Sequence, residues 1–184
     1  MSQELPRFVG FATLGVLTTT QEIAGRVLEA IPEADPQTVV EETFAVVAVA
    51  SARAAEVGFE SQPDVARAAG ATLASLPLFH QDYMVGSAVL ANPSSPVEAD
   101  ADSITRRISF YASHLQEGVF PGSAVLNEKL ELFMGRVSVP GLETSPSERV
   151  ASLELVDSLS LHLRVILGFA RSRSSIAETT KIGG

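Results

Sequence analysis

The amino-acid sequence predicts an all-α protein with about seven to eight helices, in orthogonal or bundle-like packing around one central apolar helix. Most segments between Pro and Gly residues carry apolar side chains three or four positions apart, which is the period of a helix buried on one face. Apolar residues make up 46% of the chain and charged residues 19%, a balance typical of a globular protein. A chain of 184 residues is long enough to bury a substantial core.

The central helix is predicted over residues 35–57, because its middle is apolar on every side. The letters FAVVAVA leave no polar face over two turns, so this helix needs neighbours all round. Asp35 is expected to cap the first turn, and Pro36 suits the first helical position. Gly58 is expected to end the helix in a left-handed conformation. The valines also suit a strand, but the length between the caps favours a helix.

Two helices are predicted before the central one. Residues 5–17 favour a helix, although two glycines weaken it. Thr19 and Glu22 have the spacing of a capping box, which predicts the start of a second helix that Pro32 ends.

After the central helix, Ser61 and Asp64 again have capping-box spacing, with Pro63 in the first turn. A further helix is predicted over residues 78–91. Two prolines and two serines lie close together from residue 92 to residue 96, which is typical of a linker.

This linker divides the predicted single helical domain, 1–184, into parts 1–91 and 97–172, followed by a C-terminal tail, 173–184. In the second part, apolar periodicity predicts one helix up to about Val119 and another from Ser123 to about Val139. Ser145 and Glu148 mark the start of a last, long helix whose apolar positions continue to residue 170.

The charge balance argues against binding to nucleic acids and anionic lipids, although a local basic patch could override it. Thirteen basic and 22 acidic residues give a net charge of −9, which repels phosphate backbones. The segment TTTQEIAGRVLEAIPEADPQTV resembles a helix-turn-helix, but residues 1–60 carry three basic and nine acidic side chains, so we expect no nucleic-acid binding. No apolar run is long enough to span a bilayer. We expect a cytoplasmic protein or a part of an intracellularly assembled particle.

Residue types suited to catalysis are sparse. The chain has no Cys, and its three His residues form no paired Glu-x-x-His ligand sequences, so no metal or cofactor is expected. Ser158 and His162 could meet on one helix, but a reactive serine normally lies on a strained turn beside an oxyanion hole. No phosphate-binding or dinucleotide-binding motif occurs. These observations favour a protein without enzymatic activity, and no catalytic residue is predicted.

Two polar clusters are candidates for ligand binding. His80, Asp82 and Tyr83 interrupt an apolar context and could orient a small apolar ligand in an internal cavity. The other cluster has i, i+4, i+7 spacing on one helix and consists of Arg107, Tyr111 and His114. Both clusters also fit ordinary polar groups at the edge of the core, at a surface or at an interface, and this is the interpretation that such residues more often have.

The C-terminal end differs in charge from the rest of the chain. From residue 163 onward four basic residues stand against one acidic residue. Three of them are candidates for partner contacts, Arg171, Arg173 and Lys181. Arg171 and Arg173 are equally explained as cations near the carbonyl end of a helix.

These observations predict a non-catalytic helical structural or assembly subunit that acts through protein–protein contacts. We expect it to associate with itself or with another protein subunit, as a homo-oligomer or as a component of a larger particle. The alternative is a helical sensor or carrier that binds a small apolar ligand near His80 and Tyr83.

Overall fold

The computed structural model describes residues 4–82, 101–114, 122–139, 141 and 144–182, without the side chains of residues 4, 123 and 175–182. Within these ranges the regular structure is helical and contains no strand, so the predicted all-α fold is confirmed. The eight helices are α1 Glu4–Ala30, α2 Pro36–Gly58, α3 Pro63–Ala74, α4 over residues 76–82, α5 Ala101–His114, α6 Ser123–Val137, α7 Pro146–Ser152 and α8 Leu155–Ile182.

Helix α2 lies at the centre of the fold. Every residue from Glu42 to Ala52 is buried, and α1, α3, α5, α6 and α8 all pack on this helix. Apolar side chains on all its faces require such cover. At its start Asp35 accepts a hydrogen bond from the backbone N–H of Thr38 at 2.8 Å, and Pro36 lies in the first turn. The prediction of a central apolar helix with these caps is confirmed.

The end of α2 differs from the prediction. Gly58 is the last helical residue and has no positive φ, so the expected left-handed conformation is wrong. Gly58 is needed for a different reason, which is the close approach of α2 and α8. A Cβ atom at this position would lie only 2.3 Å from the Cβ of Ala170. Any larger residue would therefore force the two helices apart.

Helix α1 is continuous where the sequence predicted two helices, so the predicted start at Thr19 is wrong. Thr18 donates its hydroxyl to the carbonyl of Leu14 at 2.9 Å, which lets a threonine remain inside a helix. Thr19 and Thr20 are buried on the side that packs into the core. Tertiary packing thus stabilises α1 through a stretch of weak helix formers.

Helix α3 begins one residue later than predicted. Its N-cap is Gln62, without a side-chain cap, and Pro63 lies in the first turn as expected. The Ser61 hydroxyl is used elsewhere, because its oxygen lies 2.7 Å from the hydroxyl oxygen of Ser174 on α8. The predicted capping box is wrong, since a contact with a distant helix replaces the local one.

The last predicted helix is divided into α7 and α8. The capping box of Ser145 and Glu148 is present at the start of α7. Glu154 then adopts a φ of 52°, which ends α7 and turns the chain into α8. Arg26 stabilises this break, since its Nη1 donates to the carbonyl of Leu153 at 3.0 Å. Helix α8 continues beyond residue 170 to Ile182.

Helix α6 begins at Ser123 as expected, and its apolar positions are buried. One hydrophobic cluster contains residues of α1 to α3 and of α5 to α8. The predicted linker 92–96 and the predicted end near Val119 fall outside the described residues. The proposed subdivision of the domain therefore stays a prediction.

We predict that Gly58→Ala lowers the free energy of unfolding by about 2 kcal/mol, because the new methyl group collides with Ala170. Gly10→Ala is the matched control. Its new methyl group meets open space on α1, so it should stabilise the protein by up to about 1 kcal/mol. Urea denaturation followed by circular dichroism measures both changes. Adding Ala170→Gly to Gly58→Ala should recover part of the loss, and equal effects of the two single changes would contradict this account.

Candidate functional site

A buried carboxylate joins three helices near the start of α2. Glu42 Oε1 accepts hydrogen bonds from Arg107 Nε on α5 at 3.1 Å and from Arg136 Nη2 on α6 at 2.7 Å. Glu42 Oε2 accepts from the Tyr111 hydroxyl at 2.7 Å. Arg107 also pairs with Glu41 at 3.1 Å. Two carboxylates and two guanidinium groups thus balance in charge.

The electrostatics of this cluster favour a structural role. Burial, followed by the negative charge of Glu42, raises the pKa of Tyr111, so its hydroxyl stays protonated and donates. The hydrogen bond to Glu42 raises the pKa of Arg136. Both oxygens of Glu42 therefore accept hydrogen bonds from groups that keep their protons. This arrangement suits a link between helices better than a proton acceptor in catalysis.

Two of the three residues in the predicted stripe on α5 come together in this cluster. Arg107 and Tyr111 both reach Glu42, whereas His114 is exposed, with its Nδ1 2.7 Å from the carbonyl oxygen of Phe110. Glu42 and Arg136 are not among the site residues predicted from the sequence. The position of Glu42 just before the apolar run could have indicated this cluster. A charged residue on a helix that is covered on all sides needs cationic partners from the helices that cover it.

The other predicted ligand cluster is only partly described. His80 is exposed on α4, and its ring lies 5.5 Å from that of Phe44. Asp82 is also exposed, and Tyr83 lies outside the described residues. A ligand site at these residues stays a prediction.

His162 forms a second buried polar pair. Its Nε2 lies 2.8 Å from the hydroxyl oxygen of Ser51 on α2, and Ser158 instead contacts Glu22. Gly15 makes room for the imidazole, since a Cβ there would lie 3.0 Å from His162 Cε1. Burial lowers the pKa of His162 from 6.5 to about 4, so the ring is neutral at pH 7. The pair joins the middle of α2 to α8 inside the core.

The predicted partner residues lie on the C-terminal half of α8. Arg171 is exposed, and the guanidinium of Arg173 lies 4.7 Å from the centroid of the Phe169 ring. Because α8 continues to Ile182, these two cations are not at the carbonyl end of a helix. The side chain of Lys181 is outside the described residues.

The outer surface of α1 and α8 carries most of the exposed apolar side chains. The two helices run antiparallel, since Phe11 lies against Phe169 at 4.4 Å while Glu22 lies against Ser158 at 3.1 Å. Six large apolar side chains are exposed in the described residues, and four of them form what we call the α1–α8 face. These four, with their exposed fractions, are Phe11 (41%), Leu14 (67%), Leu161 (66%) and Val165 (47%).

Helical geometry places these four residues together. Phe11 and Leu14 are three positions apart on α1, and Leu161 and Val165 are four positions apart on α8, so each pair shares one side of its helix. Gly15 lies at the seam of the two helices, because a Cβ there would lie 3.0 Å from His162 Cε1 and 3.8 Å from Ile166 Cδ1. The α1–α8 face is therefore made of two apolar pairs on adjacent helices that meet beside Gly15.

Charges of opposite sign flank the two ends of this face. Exposed acidic residues lie where α1 ends and α8 begins, namely Glu22, Glu29, Glu154 and Asp157. Exposed basic residues are Arg7 and Arg171 at the opposite end, and Arg164, which lies between Leu161 and Val165 within the face. The face thus has an acidic end and a basic end, with one arginine among the apolar residues of its middle.

Comparison of the chain with protein-family models, curated proteins and solved structures found no match. The described residues contain no group of three or more His, Asp or Glu side chains arranged to hold a metal ion. Among the described helices, none combines the length and apolar character that crossing a membrane requires.

We predict that Glu42→Gln lowers the free energy of unfolding by about 2 to 3 kcal/mol, because two guanidinium groups lose their buried counter-charge. Glu41→Gln, the neighbouring and more exposed partner of Arg107, should lower it by less than about 1 kcal/mol. Chemical denaturation at pH 7 measures both. A similar loss of unfolding free energy in the two variants would show that the buried carboxylate of Glu42 does not stabilise the contact between α2, α5 and α6.

We predict that His162 makes the protein sensitive to mild acid. Its folded pKa is about 4 and its unfolded pKa about 6.5, so only the unfolded chain binds a proton between these values. The stabilisation is complete above about pH 6.5, and about 3 kcal/mol is lost as the pH falls to about 4. Denaturation at several pH values compares the protein with His162→Gln. The variant should show a shallower slope, and parallel slopes would refute the assignment.

Proposed function

We propose that the chain is a non-catalytic helical assembly subunit that acts through protein–protein contacts and self-associates through the α1–α8 face. The observation that carries this proposal is the concentration of four exposed apolar side chains on one side of two adjacent helices. Scattered exposed apolar residues are normal, but a continuous apolar surface with a charged rim is typical of an interaction site.

The outer surface of α1 and α8, which carries the face and its charged ends, is large enough for a stable contact. The stretch that α1 and α8 share covers about 20 residues, so it is about 30 Å long and about 20 Å wide for two adjacent helices. This corresponds to about 600 Å² on each partner, or about 1,200 Å² in total, which reaches the lower range of specific interfaces.

The charges at the ends favour a second copy as the partner. In a dimer whose two-fold axis is perpendicular to α1 and α8, each helix of one copy runs antiparallel to the same helix of the other copy. The acidic end of one copy then faces the basic end of the other at both edges. On α8, Asp157 and Arg164 flank Leu161 at i−4 and i+3, so they share its side and face the other copy. The antiparallel arrangement pairs Asp157 with Arg164, whereas a parallel arrangement would oppose like charges.

The interior supports a non-catalytic role. The buried polar groups described above, Glu42 and His162, are each engaged by side chains of other helices. Both clusters contribute to helix packing, and the outer face remains for interaction.

We predict a mass of twice 19.4 kDa for the protein in light scattering after gel filtration. The double variant Leu14→Gln/Leu161→Gln should weaken association by about tenfold or more, because it removes apolar area from the centre of the face. Phe79→Gln is the matched control. Phe79 is exposed to a similar extent, 61%, but it lies on α4, outside the face. A monomer at all concentrations, or equal weakening by the control, would overturn the proposal.

A charge exchange tests the antiparallel arrangement. Asp157→Arg and Arg164→Asp should each weaken association, because each places like charges opposite one another. The two changes together should restore it, since the pair is re-formed with its signs exchanged. Sedimentation equilibrium measures the three dissociation constants, and failure of the combined variant to recover would exclude this arrangement.

A further inference from the structure

A cleft between α2, α3 and α5 is separate from the α1–α8 face. It encloses about 330 Å³ and is lined by small apolar side chains, namely Val49, Ala52, Ala71, Ala74 and Ala112. This volume is at the lower end of the range for small-molecule sites. The small side chains leave room where larger ones would fill the gap between the helices.

Charged residues line one part of the same cleft. Arg53 donates from Nη1 to Glu56 Oε2 at 2.6 Å, and this pair is largely buried. Gly70 of α3 lets Glu56 lie in that position, because a Cβ on Gly70 would come within 2.4 Å of Glu56 Oε1. The bond to Glu56 uses one of the five N–H donors of Arg53 and holds its guanidinium in place at the wall of the cleft.

Arg67 is the second guanidinium in the cleft. Its ion pair with Asp64 joins two strongly exposed side chains and contributes little to stability. Arg67 can therefore exchange this partner for another anion at small cost. Among the lining residues two Arg stand against one Glu, and Asp64, the present partner of Arg67, lies outside the lining.

We propose that this cleft binds a small amphipathic monocarboxylate, with its apolar chain against the alanine-rich wall and its carboxylate at Arg67 and Arg53. The apolar wall matches a short hydrocarbon chain, and Arg67, when it exchanges Asp64 for the ligand, supplies one positive charge for one carboxylate. Guanidinium groups bind carboxylates through paired N–H donors. The site differs from the cluster of His80, Asp82 and Tyr83, and it does not depend on self-association.

The test titrates straight-chain carboxylates from hexanoate to decanoate, below their micelle concentrations, into isotope-labelled protein followed by NMR. Saturable shifts should appear at the amides of Ala52, Gly70, Ala71 and Ala112. Octanoate should bind about tenfold more tightly than octanol, because a charge-assisted hydrogen bond is absent in the alcohol. Arg67→Met should remove most of this preference while the fold persists, since Arg67 is largely exposed.

A steric pair of variants completes the test. Ala71→Phe places an aromatic ring in the cleft and should abolish binding, whereas Ala68→Phe, on the same helix but outside the cleft lining, should leave it unchanged. Both positions are exposed, so neither change disturbs the core. The proposal fails if no saturable shift occurs, if octanol binds as well as octanoate, or if the shifts lie away from α2, α3 and α5.

Discussion

The covering of α2 on every side is the constraint on which the structure depends. A helix with no polar face must be enclosed, and five other helices pack on it. The enclosure brings Glu42, Thr43 and Ser51 of α2 into the interior, where Thr43 bonds back to the carbonyl of Val39 and the other two take partners from other helices. Glu42 takes its partners from α5 and α6, and Ser51 takes His162 from α8. The buried hydrogen bonds of Glu42 and Ser51 therefore follow from the position of α2 at the centre of the fold.

The interior and the surface of the described residues differ in how their side chains are used. Inside, Glu42, Tyr111 and His162 form hydrogen bonds between helices. On the surface, α1 and α8 carry exposed apolar side chains between ends of opposite charge. A surface of this kind is typical of an interaction site, and our proposal of self-association rests on it.

Much of the helical architecture could be predicted from the sequence, because apolar periodicity and end signals are local. The central helix could be predicted over 35–57, since its middle is apolar on every side and the distance between its end signals favours a helix over a strand. The break at Glu154 was not evident, because Leu-Glu-Leu contains neither Gly nor Pro and the stabilising hydrogen bond comes from Arg26, far away in the chain. Capping-box spacing misled at Thr19 and Ser61, since α1 continues through the buried Thr19 and Ser61 bonds across to α8. The Glu42 cluster was found only in part, because Glu42 is more than 60 positions from its partners on α5 and α6, and only the stripe on α5 is local.

The contact between Gly58 and Ala170 has a consequence for sequence variation. The two residues share a fixed space between α2 and α8, so the volume that one position gains must be given up by the other. Relatives of this chain should therefore vary at these two positions jointly, as Gly with Ala or Ala with Gly, and a pair of larger residues should be absent. Such covariation would locate the crossing of the two helices without any structure.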